Sequence, residues 1–407
     1  MRLRLLLLSI LTGMVFLQGS PAAEYRQEFC SGEHGVCVLY EQKGKTVNVY
    51  LRNKFPHRNI ITTVTFEHSG KPENIQCTTP LPVTTVCRGT EQMKALSFVI
   101  GDYSRQWNPQ LNWYWQYGAS GKQEDEKYPY HLPYLKGKRF RVCQGFNDTP
   151  THHGDFAYSI DWIMPEGTPI CAARGGTVVA VTDHYSEGGF KKEYINKNNT
   201  VQILHDDGTL AQYNHIKKNG SAVKTGDSVR PGDIIAHSGN VGYSQSPHLH
   251  FNVFKPVSGK KSTSIPAGFI TDYSDYDTPE KTGIYSYTGI TTKKERPSVY
   301  MEDMVFCKRM IHFQPTDIAD TFSPKDRFKI FLPIDLKKDR KIQIFLYKDS
   351  IPAPLLRYSW TLKKEWWQAV TDVDLSKVPS PSGKWKAEII IDNKKMGHKE
   401  FTVKPSG

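Results

Sequence analysis

Short stretches in which apolar and polar residues alternate occur in every part of this 407-residue chain, and they constrain its fold more than any other feature. Residues 46–51, 341–345 and 385–389 each follow this period of two, which puts every second side chain on the same face of a β-strand. Gly and Pro residues that favour turns separate the stretches, and signals for helix ends are sparse. The pattern therefore predicts a mostly β protein.

The first 23 residues have the three parts of a secretory signal peptide. Arg2 and Arg4 provide a positive start, residues 5–17 are apolar, and residues 20–23 offer small side chains for a signal peptidase. A membrane anchor is the alternative, but this apolar stretch is shorter than the roughly 20 residues that span a bilayer. We therefore expect an exported protein, in the periplasm or outside the cell, with no stable membrane insertion after cleavage.

Changes in composition divide the rest of the chain. We expect an N-terminal β accessory domain at 24–120, a central domain at 127–272, a linker at 273–298 and a C-terminal β-sandwich-like accessory domain at 299–407. The polar run 121–126 marks the first boundary, and no clear period is found in the linker.

The chain is basic, with 53 Lys and Arg against 41 Asp and Glu and a net charge of +12. Its C-terminal region combines basic residues with Trp, as proteins that bind nucleic acid do. The basic residues are scattered, however, and export argues against such a partner, so we expect a solvated basic face and no nucleic acid. A positive charge still favours contact with anionic cell-wall polymers.

Seven Cys are compatible with an oxidising compartment. The pairs Cys30/Cys37, Cys77/Cys87 and Cys143/Cys171 are close enough in sequence to form disulfides, although spacing alone does not establish connectivity. The Cys spacings do not match those of zinc sites, so a structural role is the better interpretation.

Several polar residues stand where strand patterns meet turns. His248 and His250 are separated by one residue, so in a strand both imidazoles point to one side and Leu249 to the other. Such a pair suits a divalent metal, or one metal ligand beside one proton-transfer group, although a structural role is about as common. Asp161 lies between Ile160 and Trp162, and a carboxylate among apolar neighbours needs either a metal or a hydrogen-bonding partner.

Four more histidines and one loop complete the set of candidates. His152 and His153 precede a turn glycine, and His215 ends the second strand of a hairpin that turns at Asp-Gly. His205 ends the first strand of that hairpin and is expected to be structural or to support the site. The polar loop 184–199 either borders a substrate groove or is a surface insertion.

The ordered residues His152, Asp161, His215 and His248-Leu249-His250, with their flanking glycines and prolines, resemble the M23 family of zinc metallopeptidases. This family comprises lysostaphin-like or LytM-type cell-wall endopeptidases, and the resemblance covers about residues 127–272. It implies a small antiparallel β-sheet core with an open groove, flanked here by the N- and C-terminal β regions. It also implies one Zn²⁺ per chain held by an upstream His, Asp161 and His250, with His215 and His248 as the catalytic pair.

One spacing departs from the family pattern. The common form places the first His four residues before the Asp, at position 157, where this chain has Ala157. The sequence instead resembles a variant with a longer gap, which maps the ligand onto His152 and leaves His153 as the rival.

The resemblance implies a secreted zinc-dependent endopeptidase, a hydrolase that cuts peptide bonds of bacterial peptidoglycan with a water activated by the metal. Its partners would then be peptidoglycan and its stem peptides. Two alternatives remain open: a catalytically silent LytM-like regulator that binds the wall, and the same chemistry on a protein substrate.

Overall fold

A computed structural model describes residues 25–405, except 34, 57–59, 103, 104, 106, 122–124, 126, 282, 290–292, 295–298, 302, 303, 312, 313, 337, 350 and 364–367. The expected signal peptide, residues 1–23, therefore lies outside the described residues. Backbone contacts divide the chain into two compact units. The first is Met1–Glu280 with Ser286–Thr291, and the second is Lys281–Tyr285 with Thr292–Gly407.

The N-terminal part of the first unit is a β-sandwich. Its strands are β1 (Tyr25–Cys30), β2 (Val36–Lys43), β3 (Thr46–Asn53), β4 (Ile61–His68), β5 (Ile75–Cys77), β6 (Val83–Arg88), β7 (Met93–Ile100) and β8 (Leu111–Tyr117). One sheet has the order β1-β2-β3-β7-β5 and the other β6-β4-β8. Alternate residues of both sheets, such as Val49, Val64 and Phe98, are fully buried in a shared core, so the period of two in the sequence corresponds to this inner face.

The rest of the first unit also consists of short strands. They are β9 (Pro129–Tyr130), β10 (Arg139–Gln144), β11 (Ser159–Ile163), β12 (Pro169–Cys171), β13 (Gly176–Thr182), β14 (Thr200–Leu204), β15 (Leu210–Asn214), β16 (Ile216–Ser221), β17 (Ser228–Val229), β18 (Ile234–Ser238), β19 (His248–Pro256), β20 (Ser262–Ile265) and β21 (Gly268–Phe269). The next strand, β22 (Ile284–Ser286), spans the division of the chain after Tyr285. Single 3-10 turns occur at Gly154–Phe156 and Lys192–Tyr194.

The largest sheet of this region is antiparallel and has β19 at its centre. Its order is β17-β13-β14-β15-β19-β11-β10, and β20 pairs with the C-terminal half of β19. One face is apolar: Trp162 of β11 and Phe251 of β19 both pack on Phe269, with ring centroids 6.0 and 5.7 Å apart. A small sheet, β12-β18-β16, accompanies it. The opposite face of β11 and β19 is consequently available for polar side chains.

The N-terminal sandwich is packed against the far end of β19. The backbone N–H of Gly259, in the turn between β19 and β20, donates to Thr65 Oγ1 at 2.8 Å. A side chain at Gly259 would collide with the Tyr114 carbonyl, because that oxygen lies 2.1 Å from the Cβ position. The Ala119 N–H also donates to the Gly208 carbonyl at 2.9 Å. Backbone contacts therefore join the N-terminal sandwich to the rest of the first unit, in addition to the chain segment that connects them.

The second unit is another β-sandwich. Its strands are β23 (Val299–Met301), β24 (Val305–Ile311), β25 (Gln314–Ile318), β26 (Thr321–Phe322), β27 (Arg327–Leu336), β28 (Arg340–Lys348), β29 (Leu356–Leu362), β30 (Gln368–Asp374), β31 (Gly383–Ile391) and β32 (Lys394–Val403), with a 3-10 turn at Leu375–Lys377. Its two sheets have the orders β23-β27-β24-β25, with β30 beside β27, and β26-β32-β31-β28-β29. Phe306, Phe328, Trp385 and Phe401 are buried together between them.

The mostly β prediction is confirmed, since strands account for most regular structure and the described residues contain no α-helix. Nor does any helix in that part of the chain have the length and apolar character needed to cross a membrane. Residues 286–291, within the stretch expected to be a linker, belong to the first unit.

Only one of the three candidate cysteine pairs is bonded. Cys30 and Cys37 form a disulfide between β1 and β2. Cys77 and Cys87 are unbonded and lie on strands of different sheets, and the same holds for Cys143 and Cys171. Sequence spacing alone therefore did not predict which of the three cysteine pairs would be bonded.

His205 lies in a buried polar cluster beneath the large sheet's hairpin. Its side chain is 1 % exposed, and its Nδ1 lies 2.8 Å from the Gly175 carbonyl. The Arg174 guanidinium donates to Asp207 at 2.8 Å and stacks over the Tyr128 ring at 3.8 Å. Burial, with the positive charge of Arg174, lowers the pKa of His205 to about 4 despite the opposing effects of the Gly175 carbonyl and Asp207.

This cluster predicts a pH-dependent stability. An unfolded His has a pKa of about 6.5, so the unfolded chain binds a proton at His205 as the pH falls through 6.5, while the folded chain does not until about pH 4. The stability that neutral His205 contributes is therefore complete above pH 6.5 and decreases by up to about 3 kcal/mol toward pH 4. Urea unfolding at pH 7 and pH 4.5 measures how far the free energy of unfolding falls between the two values. The fall should be smaller for His205→Asn than for the wild type, by about 2 kcal/mol. An equal fall in the two proteins would contradict the prediction.

Candidate metal centre

β11 and β19 bring three of the predicted residues to one face of the large sheet. In this antiparallel pair Asp161 lies directly opposite His250, and Ile163 lies opposite His248. Leu249 and Phe251, which alternate with the two histidines, are buried on the other face. The apolar residues therefore fix the strand's orientation, and the polar side of β19 follows from it.

His152 reaches the same face from the segment between β10 and β11. It is fully buried, and its Nδ1 lies 2.8 Å from the Gly145 carbonyl, at hydrogen-bond distance. The Gln144 side-chain oxygen, placed to satisfy both partners, accepts from the backbone N–H groups of Thr151 and His152 at 3.1 and 2.9 Å. Gln144 is paired with Asp161 across β10 and β11, so the sheet register helps to position the His152 loop.

His152, Asp161 and His250 converge on one point. The His152 Nε2 lies 3.2 Å from Asp161 Oδ1, and the His250 Nδ1 lies 2.9 Å from the same oxygen. One ligand atom from each residue falls within 4.8 Å of the others. Apart from this approach to Asp161, the buried His152 Nε2 makes no hydrogen bond, and a further ligand would satisfy it.

This donor set fits zinc. Two imidazole nitrogens and a carboxylate oxygen are typical zinc ligands, and three protein ligands leave a fourth tetrahedral position available. Burial by itself would raise the pKa of Asp161, but the surrounding His152, His248 and His250 hold that pKa well below its usual range. Asp161 is therefore anionic at neutral pH, as a candidate metal ligand requires.

His215 and His248 form a second pair beside these three residues. Their ring centroids are 4.6 Å apart, and the His248 Nε2 lies 3.7 Å from Asp161 Oδ2. The His215 Nδ1 lies 2.8 Å from the Val241 carbonyl, and the His248 Nδ1 lies 2.7 Å from the Ser246 carbonyl. If each Nδ1 carries the donated proton, each Nε2 is left as an acceptor for another proton. Burial and the neighbouring histidines lower the pKa of His215 well below its usual range.

The backbone at His215 is unusual for a side chain of this size. Its φ is +63°, in the left-handed region, between the end of β15 and the start of β16. The His215 N–H donates to Asn198 Oδ1 at 3.2 Å, which ties this residue to the loop 184–199. Such a conformation persists only where surrounding contacts hold it, and it is concentrated at functional sites.

The structure thus brings together all five predicted site residues: His152, Asp161, His215, His248 and His250. His153 is exposed and precedes the 3-10 turn at Gly154–Phe156, and His205 lies in its own cluster. Three supporting residues were not anticipated: Gln144, Asn198 and Ser244, whose Oγ lies 3.1 Å from His248 Nδ1. No spacing in the sequence identifies them, although Asn198 does fall in the loop suspected of bordering the groove.

Comparison with known proteins agrees with this geometry. Residues 155–264 match peptidase family M23 and include four of the five residues, while His152 lies just before the matched segment. An uncharacterized metalloprotease of Buchnera aphidicola is 34% identical over 127 residues, which are 30% of this chain and 30% of the relative. Lysostaphin of Staphylococcus simulans is 37% identical over 119 residues, which are 29% of this chain and 22% of the relative. The peptidoglycan DD-endopeptidase ShyA of Vibrio cholerae is 33% identical over 109 residues, which are 26% of this chain and 22% of the relative.

The matched segments span less than a third of the length of each of these three relatives, so the likeness concerns one domain rather than whole proteins. That domain includes β11, β15 and β19, the strands that carry or lead into the polar cluster. The chain therefore contains a domain that matches peptidase family M23 over residues 155–264.

Proposed function

We propose that this protein is an exported, zinc-dependent endopeptidase that hydrolyses peptide bonds in bacterial peptidoglycan. The observation that carries the proposal is the position of a His-Asp-His donor set beside a pair of histidines on one sheet face. A purely structural metal site has four protein ligands and no need for two further imidazoles next to it.

In this proposal His152, Asp161 and His250 hold the metal, and His215 and His248 are the catalytic residues. Zinc, when bound, supplies a Lewis acid that polarises a carbonyl and lowers the pKa of water to about 7. The Gly145 carbonyl orients the His152 ring. The Asp161 carboxylate lies close to the His152 Nε2 and the His250 Nδ1 and so orients both nitrogens. Partners of this kind fix the orientation of a ligand and strengthen its basicity.

His215 and His248 transfer protons in this proposal. The Val241 carbonyl holds the His215 ring, and Ser244 with the Ser246 carbonyl holds the His248 ring. With their Nδ1 atoms engaged, the Nε2 atoms are the positions that accept a proton from the attacking water or stabilise negative charge on the carbonyl oxygen. Either imidazole can take either role.

The substrate class follows from the relatives and the charge. ShyA is named a peptidoglycan DD-endopeptidase, and lysostaphin shares the same domain. The net charge of +12 favours an anionic cell-wall surface, and residues 1–23 supply the export signal. We assign residues 127–272 to the peptidase, with residues 24–120 and 299–407 as accessory domains and residues 273–298 as the linker between the last two domains.

Isolated peptidoglycan sacculi provide the direct test. The mature protein should release soluble muropeptides with new peptide termini, and a zinc chelator should stop the release; mass spectrometry identifies the bond that is cut. Added Zn²⁺ should restore activity to the chelated protein. Release of no fragments by a protein that binds one zinc per chain would reject peptidoglycan as substrate in favour of a protein. A chain that neither binds zinc nor releases fragments would instead be a wall-binding regulator.

A further inference from the structure

Phe190 presents an aromatic ring to solvent from the loop 184–199, in which Asn198 accepts a hydrogen bond from the His215 backbone. Its side chain is 51 % exposed, and its ring stacks on that of Tyr243 with centroids 4.5 Å apart and planes at 27°. Tyr243 is half-buried. An exposed pair of stacked rings is a flat apolar surface, and such surfaces on soluble proteins commonly mark binding sites.

The segment that carries Phe190 is fastened to the segment that carries Tyr243. The Gly189 N–H donates to the Gly242 carbonyl at 3.0 Å, and the Gly242 N–H donates to the Glu187 carbonyl at 2.9 Å. Gly188 approaches so closely that a Cβ there would lie 1.8 Å from the Asn240 carbonyl oxygen. This backbone bridge fixes the relative position of the two segments, which reduces the entropy lost when a ligand orders the rings.

Tyr243 also stands between two residues that hold the catalytic histidines. Val241, whose carbonyl lies at hydrogen-bond distance from the His215 ring, is two residues before it, and Ser244, in contact with His248, follows it. Because consecutive Cα atoms are about 3.8 Å apart, the Tyr243 Cα lies within about 8 Å of the Val241 Cα. The backbone of Tyr243 therefore continues directly into the residues that hold the rings of His215 and His248.

We propose that the ring pair Phe190–Tyr243 is a substrate-binding subsite, which holds a small aliphatic side chain of the peptide next to the scissile bond. The proposal rests on the proposed function, since it takes the substrate to be a peptide cut at the His215–His248 pair. Uncharged aromatic faces bind aliphatic C–H groups through dispersion and apolar burial. This subsite acts in substrate capture, because Phe190, the more exposed of the two rings, carries no polar group.

The kinetics of Phe190→Ala on purified cross-linked muropeptides test the subsite. KM should rise roughly 3- to 10-fold, the range that an aromatic contact provides, while kcat changes less than twofold. Phe190→Tyr should keep a wild-type KM. The matched control is Val257→Ala, since Val257 is also 51 % exposed but lies just after β19, at the end opposite to His248, and its KM should not change.

A binding measurement separates this inference from the enzymatic proposal. Calorimetry of the same muropeptides with His215→Asn, and with His215→Asn combined with Phe190→Ala, reports affinity without turnover. The double variant should bind 3- to 10-fold more weakly whether or not the wild type hydrolyses the ligand. Equal affinities of the two proteins, or an equal KM for Phe190→Ala and wild type, would overturn the subsite.

Discussion

Replacing His152 by alanine should abolish stoichiometric zinc binding, whereas replacing its neighbour His153 should leave one zinc per chain. Only His152 is buried and directed at Asp161, with 3.2 Å between its Nε2 and the carboxylate, while His153 is exposed. Loss of a supporting residue weakens metal binding by about 10- to 100-fold, so loss of a direct ligand should weaken it by at least ~100-fold. Metal analysis of the purified variants measures this directly.

Because His152 is fully buried, its replacement also leaves a cavity that can destabilise the domain. His250→Ala is the second test, since His250 is partly exposed and lies on β19 rather than in a loop. Thermal unfolding of each variant in excess chelator separates folding from metal loss. Retention of tight zinc by His152→Ala, with loss by His153→Ala, would transfer the ligand to the neighbouring residue.

Replacing His215 should have the opposite signature, with zinc retained and turnover lost. General acid–base groups contribute about 10²- to 10⁴-fold, so kcat on muropeptides should fall within or beyond this range while the metal content stays at one per chain. The reason is geometric: the ring of His215 lies 4.6 Å from that of His248 but is not part of the convergent ligand set. His248→Ala should behave in the same way.

The backbone at His215 determines which substitution is informative. At a φ of +63°, alanine is strained, whereas asparagine adopts the left-handed conformation more readily than other non-glycine residues. His215→Asn should therefore retain the wild-type unfolding temperature, and His215→Ala should be less stable, with both equally inactive. Loss of stoichiometric zinc from His215→Asn would show that His215 is a ligand, contrary to the assigned role.

The parts of the site carried by one strand could be predicted from sequence. The alternation of His248, Leu249 and His250 defines a face, and the structure has both imidazoles on it. Asp161 was recognisable as a carboxylate in an apolar strand, yet the pairing of Asp161 with His250 joins positions far apart in the chain. Local patterns contain no information about which strands become neighbours, so the sheet order came only from the structure.

The supporting contacts were beyond sequence reasoning for a related reason. Gln144 positions His152 through two backbone N–H groups, and Asn198 binds the backbone of His215 rather than its side chain. Amide side chains of this kind are common in polar loops, and only tertiary distances distinguish those that support a site. The cysteines illustrate the same limit, because Cys77 and Cys87 are near in sequence and yet unbonded.

The central strand has a mechanical consequence. β19 starts at His248 and ends at Pro256, just before the turn in which Gly259 is packed against the N-terminal sandwich. Eight steps of about 3.3 Å give a rod about 26 Å long, stiffened by hydrogen bonds to the strands on both sides. If the N-terminal sandwich binds a polymer, the length of β19 would set the distance between the bound segment and the bond that is cut.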